Sequence, residues 1–466
     1  MAYTDIDDPT LYFRTKTYTG NGTNDTAYTW DETHANMQPD WLWFKNRDEN
    51  QSHAIFDSVR GATLRIIPNE SGAEGTENTN LDSFDSNGFT VDNELIVNGS
   101  SDKMVAWGWS AGGSAPAITY VVKVVSDSGN KYRFDDFGTS AVTLDLQEGG
   151  TYTFDQSDSS NATHPLRFYT ASDKSGGEYT TGVTTTGTPG SAGAKTVITV
   201  AASAPTLYYQ CSSHSGMGGQ ANTNSTHGSS NFSGSIQSTV SAGITQGMSI
   251  VSYTGTGSNA TIGHGLGSVP AWIITKNRDA SQPWRIYHKG VDASAPEDYG
   301  MILNDTSVRD NDNTAWNDTA PTSSVFSVGS SANTNNGSDN FIAYCFAEKK
   351  GYSKFGSYTG NGNADGTFVY SGFKPAWLMV KRTSGSYNWG MFDNKRNTSN
   401  LVNLFLASDD NGAEFTTTSY PFDFYSNGFK VKGTGGGGNA SGETYVFHVF
   451  AESPFVNSKG VPNNAR

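Results

Sequence analysis

Pro375-Ala-Trp377-Leu-Met-Val-Lys381 is one of three closely similar stretches in the chain; the other two are Pro39-Asp-Trp41-Leu-Trp-Phe-Lys45 and Pro270-Ala-Trp272-Ile-Ile-Thr-Lys276. A Tyr-Thr-Gly-x-Gly motif precedes each copy, and a large aromatic residue lies 17 positions after each proline, at Phe56, Tyr287 and Phe392. A spacing kept without insertion is typical of a hairpin-sized unit held in register. The chain therefore contains three sequence repeats, and any fold assignment has to start from them.

After these stretches, each repeat continues toward the C-terminus with further short segments of aromatic and β-branched residues. The motifs Phe89-Thr-Val91, Phe326-Ser-Val328 and Phe429-Lys-Val431 correspond to one another, and Asn-Gly, a strong signal of a tight hairpin, precedes two of them. Helical periodicity is nearly absent. Short strands separated by Gly, Asn and Ser turns predict an all-β fold in which each repeat is an antiparallel β-sandwich. A tryptophan inside an apolar run such as Trp377-Leu-Met-Val is expected in the core rather than on a sugar-binding surface.

The first repeat is separated from the second by an insert with strand patterns of its own. These include Ile118-Thr-Tyr-Val-Val-Lys-Val-Val125, Thr151-Tyr-Thr-Phe154 and Leu207-Tyr-Tyr209. We therefore expect three repeated sandwich modules and one inserted β-domain. The predicted boundaries are an N-terminal arm at 1–16, the first repeat at 17–113, the insert at 114–243, the second repeat at 244–352, the third repeat at 353–456 and a C-terminal tail at 457–466.

The composition excludes several classes of function. Thirty Lys and Arg residues against 45 Asp and Glu residues give a net charge of −15, and no basic run is present, which argues against binding to nucleic acid or to an anionic membrane. The segment Met1–Pro9 lacks the cationic and apolar parts of a signal peptide. The sequence contains no apolar stretch of 18 residues, so it does not predict a membrane-spanning helix. Two cysteines cannot form a disulfide framework.

The insert carries a set of residues that suits a soft metal ion. Cys211, His214 and Met217 are spaced around one tight loop after a strand, and His164 follows an earlier strand. One thiolate, two imidazoles and a thioether are the donors of a blue-copper site, His₂Cys with a weak axial Met. Two alternatives stay open: zinc on the cysteine and the two histidines, or a loop whose Cys211 and Met217 serve only in packing.

At these residues the insert resembles the cupredoxins of the plastocyanin and amicyanin group. The resemblance covers Ile118 to Thr223 and implies a Greek-key β-sandwich that binds copper through His164, Cys211, His214 and Met217. One position departs from the pattern, because Pro165 stands where cupredoxins commonly have an asparagine that braces the thiolate. Copper is the cofactor that the resemblance implies, with zinc as the open alternative.

We expect no enzymatic activity. Gly108-Trp-Ser110-Ala-Gly112 matches the nucleophile elbow of hydrolases, which needs a helix directly after it. Here Gly113-Ser-Ala-Pro116 follows, and a helix cannot begin there. Asp310-Asn-Asp312-Asn313 lacks the glycine and the distal glutamate of a calcium loop, and a solvated turn is expected instead.

Across nearly its full length the chain resembles a family of virion proteins encoded by marine tailed bacteriophages. The motifs that carry this resemblance include Lys45-Asn-Arg47, Phe56-Asp-Ser-Val-Arg-Gly61 and Ser83-Phe-Asp-Ser-Asn-Gly-Phe89. The resemblance implies a virion structural protein, made in the host cytoplasm without a signal peptide, that serves as a tail fibre or other tail-surface protein for host attachment. Alternatives are a capsid decoration protein, a cupredoxin-type electron carrier and a carbohydrate-binding module.

The expected partners follow from that resemblance. They are other virion proteins, a glycan or protein of the host surface, and further copies of the chain in a homo-oligomer, with a trimer favoured because such proteins close on rotation axes.

Overall fold

Strands make up most of the ordered secondary structure in the computed structural model, which describes residues 3–31 and 35–463. Strands account for 43% of residues and helices for 4%, so the all-β prediction is confirmed. Two single-turn helices are present in these residues, α1 (Leu95–Asn98) and α2 (Asn313–Trp316), together with short 3-10 turns at Pro9–Leu11, Ser159–Asn161 and Pro296–Asp298. No helix of the described part of the chain is long and apolar enough to span a bilayer.

The first repeat contains nine strands: β1 (Phe13–Thr19), β2 (Thr26–Thr29), β3 (Trp41–Asn46), β4 (Ala54–Asp57), β5 (Gly61–Ile66), β6 (Gly75–Thr76), β7 (Leu81–Asp85), β8 (Gly88–Val91) and β9 (Lys103–Trp109). Six of them form an antiparallel sheet in the order β1-β9-β3-β4-β5-β6, and the other three form a small sheet, β2-β8-β7. The two sheets pack face to face over one apolar cluster that includes Leu42, Phe44, Phe56 and Phe89.

The insert contains β10 (Ala117–Ser126), β11 (Asn130–Phe134), β12 (Leu144–Gln147), β13 (Thr151–Asp155), β14 (Leu166–Tyr169), β15 (Val183–Thr186), β16 (Lys195–Thr199), β17 (Leu207–Cys211) and β18 (Gln220–Asn224). They form two sheets, β11-β10-β13-β16-β15 and β12-β18-β17-β14, around a separate aromatic core. The pairs β10/β13 and β12/β18 are parallel, and the other pairings in these two sheets are antiparallel.

The large sheets of the second and third repeats contain the strand order of the first, but the second repeat has two additional strands at one edge of its large sheet and two strands instead of three in its small sheet. Their strands are β19 (Ser229–Asn231), β20 (Ser238–Gly243), β21 (Met248–Thr254), β22 (Ala260–Gly263), β23 (Trp272–Asn277), β24 (Arg285–His288), β25 (Tyr299–Ile302), β26 (Asp310–Asn311), β27 (Val325–Val328), β28 (Asn340–Phe346), β29 (Ser353–Thr359), β30 (Phe368–Tyr370), β31 (Phe373–Arg382), β32 (Gly390–Asp393), β33 (Leu404–Ala407), β34 (Phe415–Thr416), β35 (Phe422–Tyr425), β36 (Gly428–Val431) and β37 (Thr444–Pro454). The large sheets run β19-β20-β21-β28-β23-β24-β25-β26 and β29-β37-β31-β32-β33-β34, and the small sheets are β22-β27 and β30-β36-β35.

Two predicted boundaries fall inside strands or sheets. β19 and β20 lie within the range assigned to the insert, 114–243, but hydrogen-bond to the large sheet of the second repeat. Likewise β1 begins at Phe13, inside the range 1–16 of the predicted arm. The ends of the predicted arm and tail, residues 1–2 and 464–466, lie outside the described residues.

The three large sheets do not pack independently, because their second faces share one aromatic core. Trp41 and Trp109 of the first repeat, Trp272 and Phe346 of the second, and Trp377 and Phe450 of the third belong to a single buried cluster. Each large sheet is therefore covered on both faces, by its own small sheet and by the other repeats. Burial on both faces explains why every residue of β3 and of β23 is buried, where a sheet with one wet face would alternate.

Equivalent side chains join the repeats in a closed cycle, which we call the ring. His53, Trp284 and Trp389, each 14 residues after its repeat's proline, contact backbone carbonyls of another repeat at Ala407, Ile67 and Ile302 respectively. The first repeat thus contacts the third, the third contacts the second, and the second contacts the first. Such head-to-tail contacts between equivalent surfaces close when the rotation returns to its start, as in a cyclic trimer.

A lysine at the end of each repeat's apolar run strengthens the same contacts. The ammonium groups of Lys45, Lys276 and Lys381 donate to the carbonyls of Asn411, Ser71 and Thr306 of the next repeat. Burial lowers the pKa of each lysine to about 8. These lysines act as buried donors that replace water at carbonyl groups between the repeats.

Candidate metal centre

His164 is held at the start of β14 by backbone contacts on both sides. Its N–H donates to the carbonyl of Asn161, and its own carbonyl accepts from the Tyr132 hydroxyl at 2.9 Å and from the Gln156 amide at 2.8 Å. The imidazole of His164 is nearly buried, with 9% of the residue exposed. On its outer side, the side-chain amide of Asn130 lies 3.4 Å from Nε2. These contacts leave Nδ1 directed toward β17.

Cys211 is the last residue of β17 and is completely buried. The antiparallel pairing of β14 with β17 sets Cys211 opposite Leu166, two residues after His164. The loop after Cys211 then returns His214, which is exposed, and Met217, which is buried in the same apolar cluster as Cys211. The sequence spacing thus brings the cysteine and both histidines to one end of the insert.

The three nitrogen and sulfur donors converge. The Cys211 Sγ lies 3.9 Å from Nδ1 of His164 and 3.5 Å from Nδ1 of His214, and one ligand atom from each residue falls within 4.8 Å of the others. Donors placed about 2.0 to 2.3 Å from a common metal ion are separated by about 3.3 to 3.8 Å. The cluster therefore fits one ion after small side-chain movements. Coordination by the Met217 thioether remains a prediction.

The electrostatic setting also suits a metal ligand. Burial, with a smaller effect from the nearby His214, lowers the pKa of His164. A lower pKa favours the neutral imidazole, which is the form that binds a metal. Burial and the neighbouring Cys211 raise the pKa of the Tyr132 hydroxyl, so that this group stays protonated as a donor beside the cluster.

The loops that carry the candidate ligands are braced mainly through backbone groups, and not through a side chain of the residue after His164. Pro165 has no N–H to offer the thiolate, but its carbonyl accepts from the N–H of Ser212, which ties the histidine loop to the cysteine loop. The ammonium of Lys174 donates to the carbonyls of Cys211 and Ser212 at 3.1 and 3.3 Å. Gln210 accepts from the backbone N–H of Met217. This bracing orients the ligands in place of the missing asparagine.

Sequence reasoning found the donors and missed the groups that support them. Asn130, Tyr132 and Lys174 lie at least 32 residues from the ligand that each contacts. No local motif marks them, because β11 and the loop after β14 reach the site only through the sandwich fold. A polar residue at the end of a strand is too common a pattern to signal such a role.

The other sequence motifs have structural partners. Ser110 accepts a hydrogen bond from the side chain of Gln246, and bends rather than a helix follow it. Asp310 and Asp312 form ion pairs with Arg285. His227 contacts Asp40 of the first repeat at 2.7 Å, and this contact fastens the exit of the insert to the ring.

These observations describe a three-repeat β-scaffold into which a second sandwich with a candidate soft-metal site is inserted. The chain belongs to the family described as a domain of unknown function, DUF7483, whose model matches residues 8–134 and 220–454. The unmatched segment, 135–219, contains all four candidate ligands. No curated protein and no solved structure matches the chain. The candidate metal centre therefore lies outside the part of the chain that the family model covers.

Proposed function

We propose that the protein is a non-enzymatic virion structural protein of a tailed bacteriophage, a tail fibre or other tail-surface protein that serves in host attachment. The observation that supports this proposal best is the ring, in which three copies of one sheet close around a common aromatic core. A body of this kind is rigid, and its loops can vary at the sheet ends without disturbing the core. Decoration of the capsid is the alternative location.

The proposal is tested by locating the chain in purified virions. Mass spectrometry of gradient-purified particles should detect it in stoichiometric amounts, and labelling with a specific antibody should place it on the tail. Labelling over the head would favour the decoration role. Absence of the chain from particles, with the chain present in infected cells, would refute the virion proposal.

The ring offers an alternative to the expected homotrimer, because one chain already contains three repeats in a closed cycle. Three repeats in one chain already supply an internal threefold-like arrangement, and a monomer could occupy a site that otherwise receives a trimer of single-repeat chains. Sedimentation equilibrium of the purified protein distinguishes a mass of 49.8 kDa from three times that value. The homotrimer stays a prediction until that measurement.

A second function, copper binding by the insert, is favoured by the convergence of His164, Cys211 and His214. Copper would be held by these three residues and by the Met217 thioether, the donor set that the resemblance to cupredoxins implies. Bound copper would supply one-electron chemistry or local stability, and the electron-carrier alternative depends on the first of these. Zinc bound by the same cysteine and histidines is the competing outcome.

The copper proposal is tested by titration of the purified protein with Cu(II). One equivalent should produce an intense blue thiolate absorption, and Cys211→Ser should abolish it. Cys345→Ala is the matched control, because Cys345 is also a fully buried free cysteine but lies in the second repeat. Stoichiometric zinc without colour would support the zinc alternative, and a protein that retains neither metal after dialysis would refute a metal role.

A further inference from the structure

The small sheet of the third repeat displays an aromatic surface that the other two repeats lack. Phe368 and Tyr370 lie on β30, the edge strand, and are 44% and 54% exposed. They are two positions apart, so they share the outer face, while Val369 between them is buried in the core. Large aromatic side chains on a solvent-facing edge strand require an explanation, because edges are normally kept short and polar.

The strand register shows what surrounds these two rings. Phe368 stands opposite Lys430, and Lys430 stands opposite Asp423. Tyr370 stands opposite Gly428, and Gly428 stands opposite Tyr425. The paired strand positions on the outer face therefore carry three aromatic residues, Lys430 and Asp423 around a glycine, and the Lys430 ammonium also pairs with Asp365. We call Phe368, Tyr370 and Tyr425 the aromatic patch.

Contacts within the sheet orient the aromatic patch. The Phe368 and Tyr425 rings pack edge to face with centroids 6.0 Å apart, and the Tyr425 hydroxyl donates to Asp423. The Lys354 ammonium donates to the carbonyl of Tyr370 and lies 5.4 Å from the centroid of its ring. A Cβ at Gly428 would meet the Val369 carbonyl oxygen at 2.1 Å and the tip of the Phe368 ring at 2.9 Å, so the glycine lets β30 and this ring lie close against β36. The rings are thus held while their outer parts stay exposed.

The repeats provide an internal comparison for these positions. In the first repeat the residues of equivalent register on β2 are Ala27 and Thr29, both exposed. In the second repeat they are Thr261 and Gly263 of β22. Two of the three copies of the fold therefore carry small residues at this place. The shared fold does not by itself explain the aromatic residues of the third repeat.

We propose that the aromatic patch is a binding site for a neutral glycan, whose pyranose rings stack on Phe368 and Tyr370. A pyranose ring has an apolar face of C–H groups and a rim of hydroxyls, and the patch offers aromatic faces beside Asp423 and Lys430, which can accept from and donate to hydroxyls. Three partly exposed rings offer on the order of 300 Å², far below the ~800 Å² that each partner of a stable protein complex buries. The small area favours a saccharide over a folded protein.

This inference rests on the proposed attachment role for its biological setting, but its measurement does not depend on the virion. The probe is an oligosaccharide array with neutral and acidic glycans, followed by calorimetric titration of the soluble glycan that gives the strongest signal. The intact purified protein should bind at least one neutral glycan. The double variant Phe368→Ala/Tyr370→Thr installs the residues of the first repeat and should weaken that binding at least tenfold.

Matched controls use exposed aromatic residues elsewhere. Tyr3→Ala and Phe415→Ala remove rings that are 71% and 55% exposed but lie outside the patch, and both should bind as the wild type does. Unchanged thermal unfolding of the double variant shows that the sheet is intact. Glycan binding that survives in the double variant, or an array without a neutral ligand at millimolar concentration, would overturn the proposal. A chain that is absent from virions but retains patch-dependent binding would refute the attachment role alone.

Discussion

The contact between the second and third repeats should be sensitive to acid, because two buried histidines meet there. In the first repeat, Asp57 accepts from the Tyr344 hydroxyl of the second, and in the third repeat Asp393 accepts from the Trp107 indole of the first. At the corresponding place, His288 of the second repeat meets His448 of the third, with ring centroids 4.6 Å apart. Two histidines thus replace a carboxylate and its aromatic donor.

The charged groups around this position differ as well. Arg60 and Arg396 bind the carboxylates at the first two contacts, and Val291 occupies the corresponding place in the second repeat. His288 and His448 are fully buried, and within the described residues His448 has no hydrogen-bond partner on either ring nitrogen. Trp272, Trp389 and Phe355 pack against His448, and burial together with the charge of Lys289 lowers the pKa of His288.

The size of the acid-induced loss in the free energy of unfolding follows from the pKa of His288. Burial lowers this pKa from 6.5 to about 3, and burial also lowers the pKa of His448. A histidine whose pKa is lower in the folded state contributes no penalty above about pH 6.5 and destabilises the fold progressively as the pH falls below that value. Between pH 7.5 and pH 5, His288 alone should remove about 2 kcal/mol from the free energy of unfolding. His448 acts in the same direction.

The assay is urea unfolding at pH 7.5 and pH 5, followed by tryptophan fluorescence. All ten tryptophans lie in the repeats and none in the insert, so the signal reports the ring. His288→Asn keeps an acceptor for the N–H of Gly290 and cannot titrate. Between pH 7.5 and pH 5, the free energy of unfolding of His288→Asn should fall by about 2 kcal/mol less than that of the wild type. His214→Asn, in the insert, is the control, and equal losses in the wild type and His288→Asn would refute the reasoning.

Three further outcomes are expected. Arg396→Met leaves the buried carboxylate of Asp393 without its cation, and the free energy of unfolding from the same urea assay should fall by about 3 to 5 kcal/mol; a loss below 1 kcal/mol would contradict the role of this pair. Trp284→Phe removes the indole donor to a carbonyl of the first repeat, and should cost about 1 to 3 kcal/mol in that assay. Gly218→Ala places a Cβ 1.6 Å from the carbonyl oxygen of Tyr209, so copper affinity measured by competition with a chelator should fall while the tryptophan unfolding transition stays unchanged.

Much of the fold was accessible from sequence because the repeats carry local signals. The Pro-x-Trp stretches, the Asn-Gly hairpins and the absence of helical periodicity predict antiparallel sheets, and these signals act within one strand or hairpin. The grouping of His164, Cys211 and His214 was also accessible, since their donor chemistry and spacing form a recognisable pattern.

The ring was not predicted, although one signal for it is present. The run Trp41-Leu-Trp-Phe does not alternate between apolar and polar residues, and such a run indicates a strand that is buried on both faces. Sequence alone does not say which element covers the second face. The cover comes from the other repeats, through contacts between residues that are distant in sequence, such as Trp284 with Ile67, 217 positions apart, and Trp389 with Ile302, 87 positions apart.

The joining of all three copies in one polypeptide has a consequence for assembly and for divergence. The tether between the second and third copies, residues 347–352, is short, so closure of the cycle is intramolecular and its extent does not depend on dilution. In an assembly of identical subunits every substitution appears three times. In this chain one repeat can carry two additional aromatic residues, lack an arginine or be followed by an inserted domain, while the other two repeats keep the common geometry.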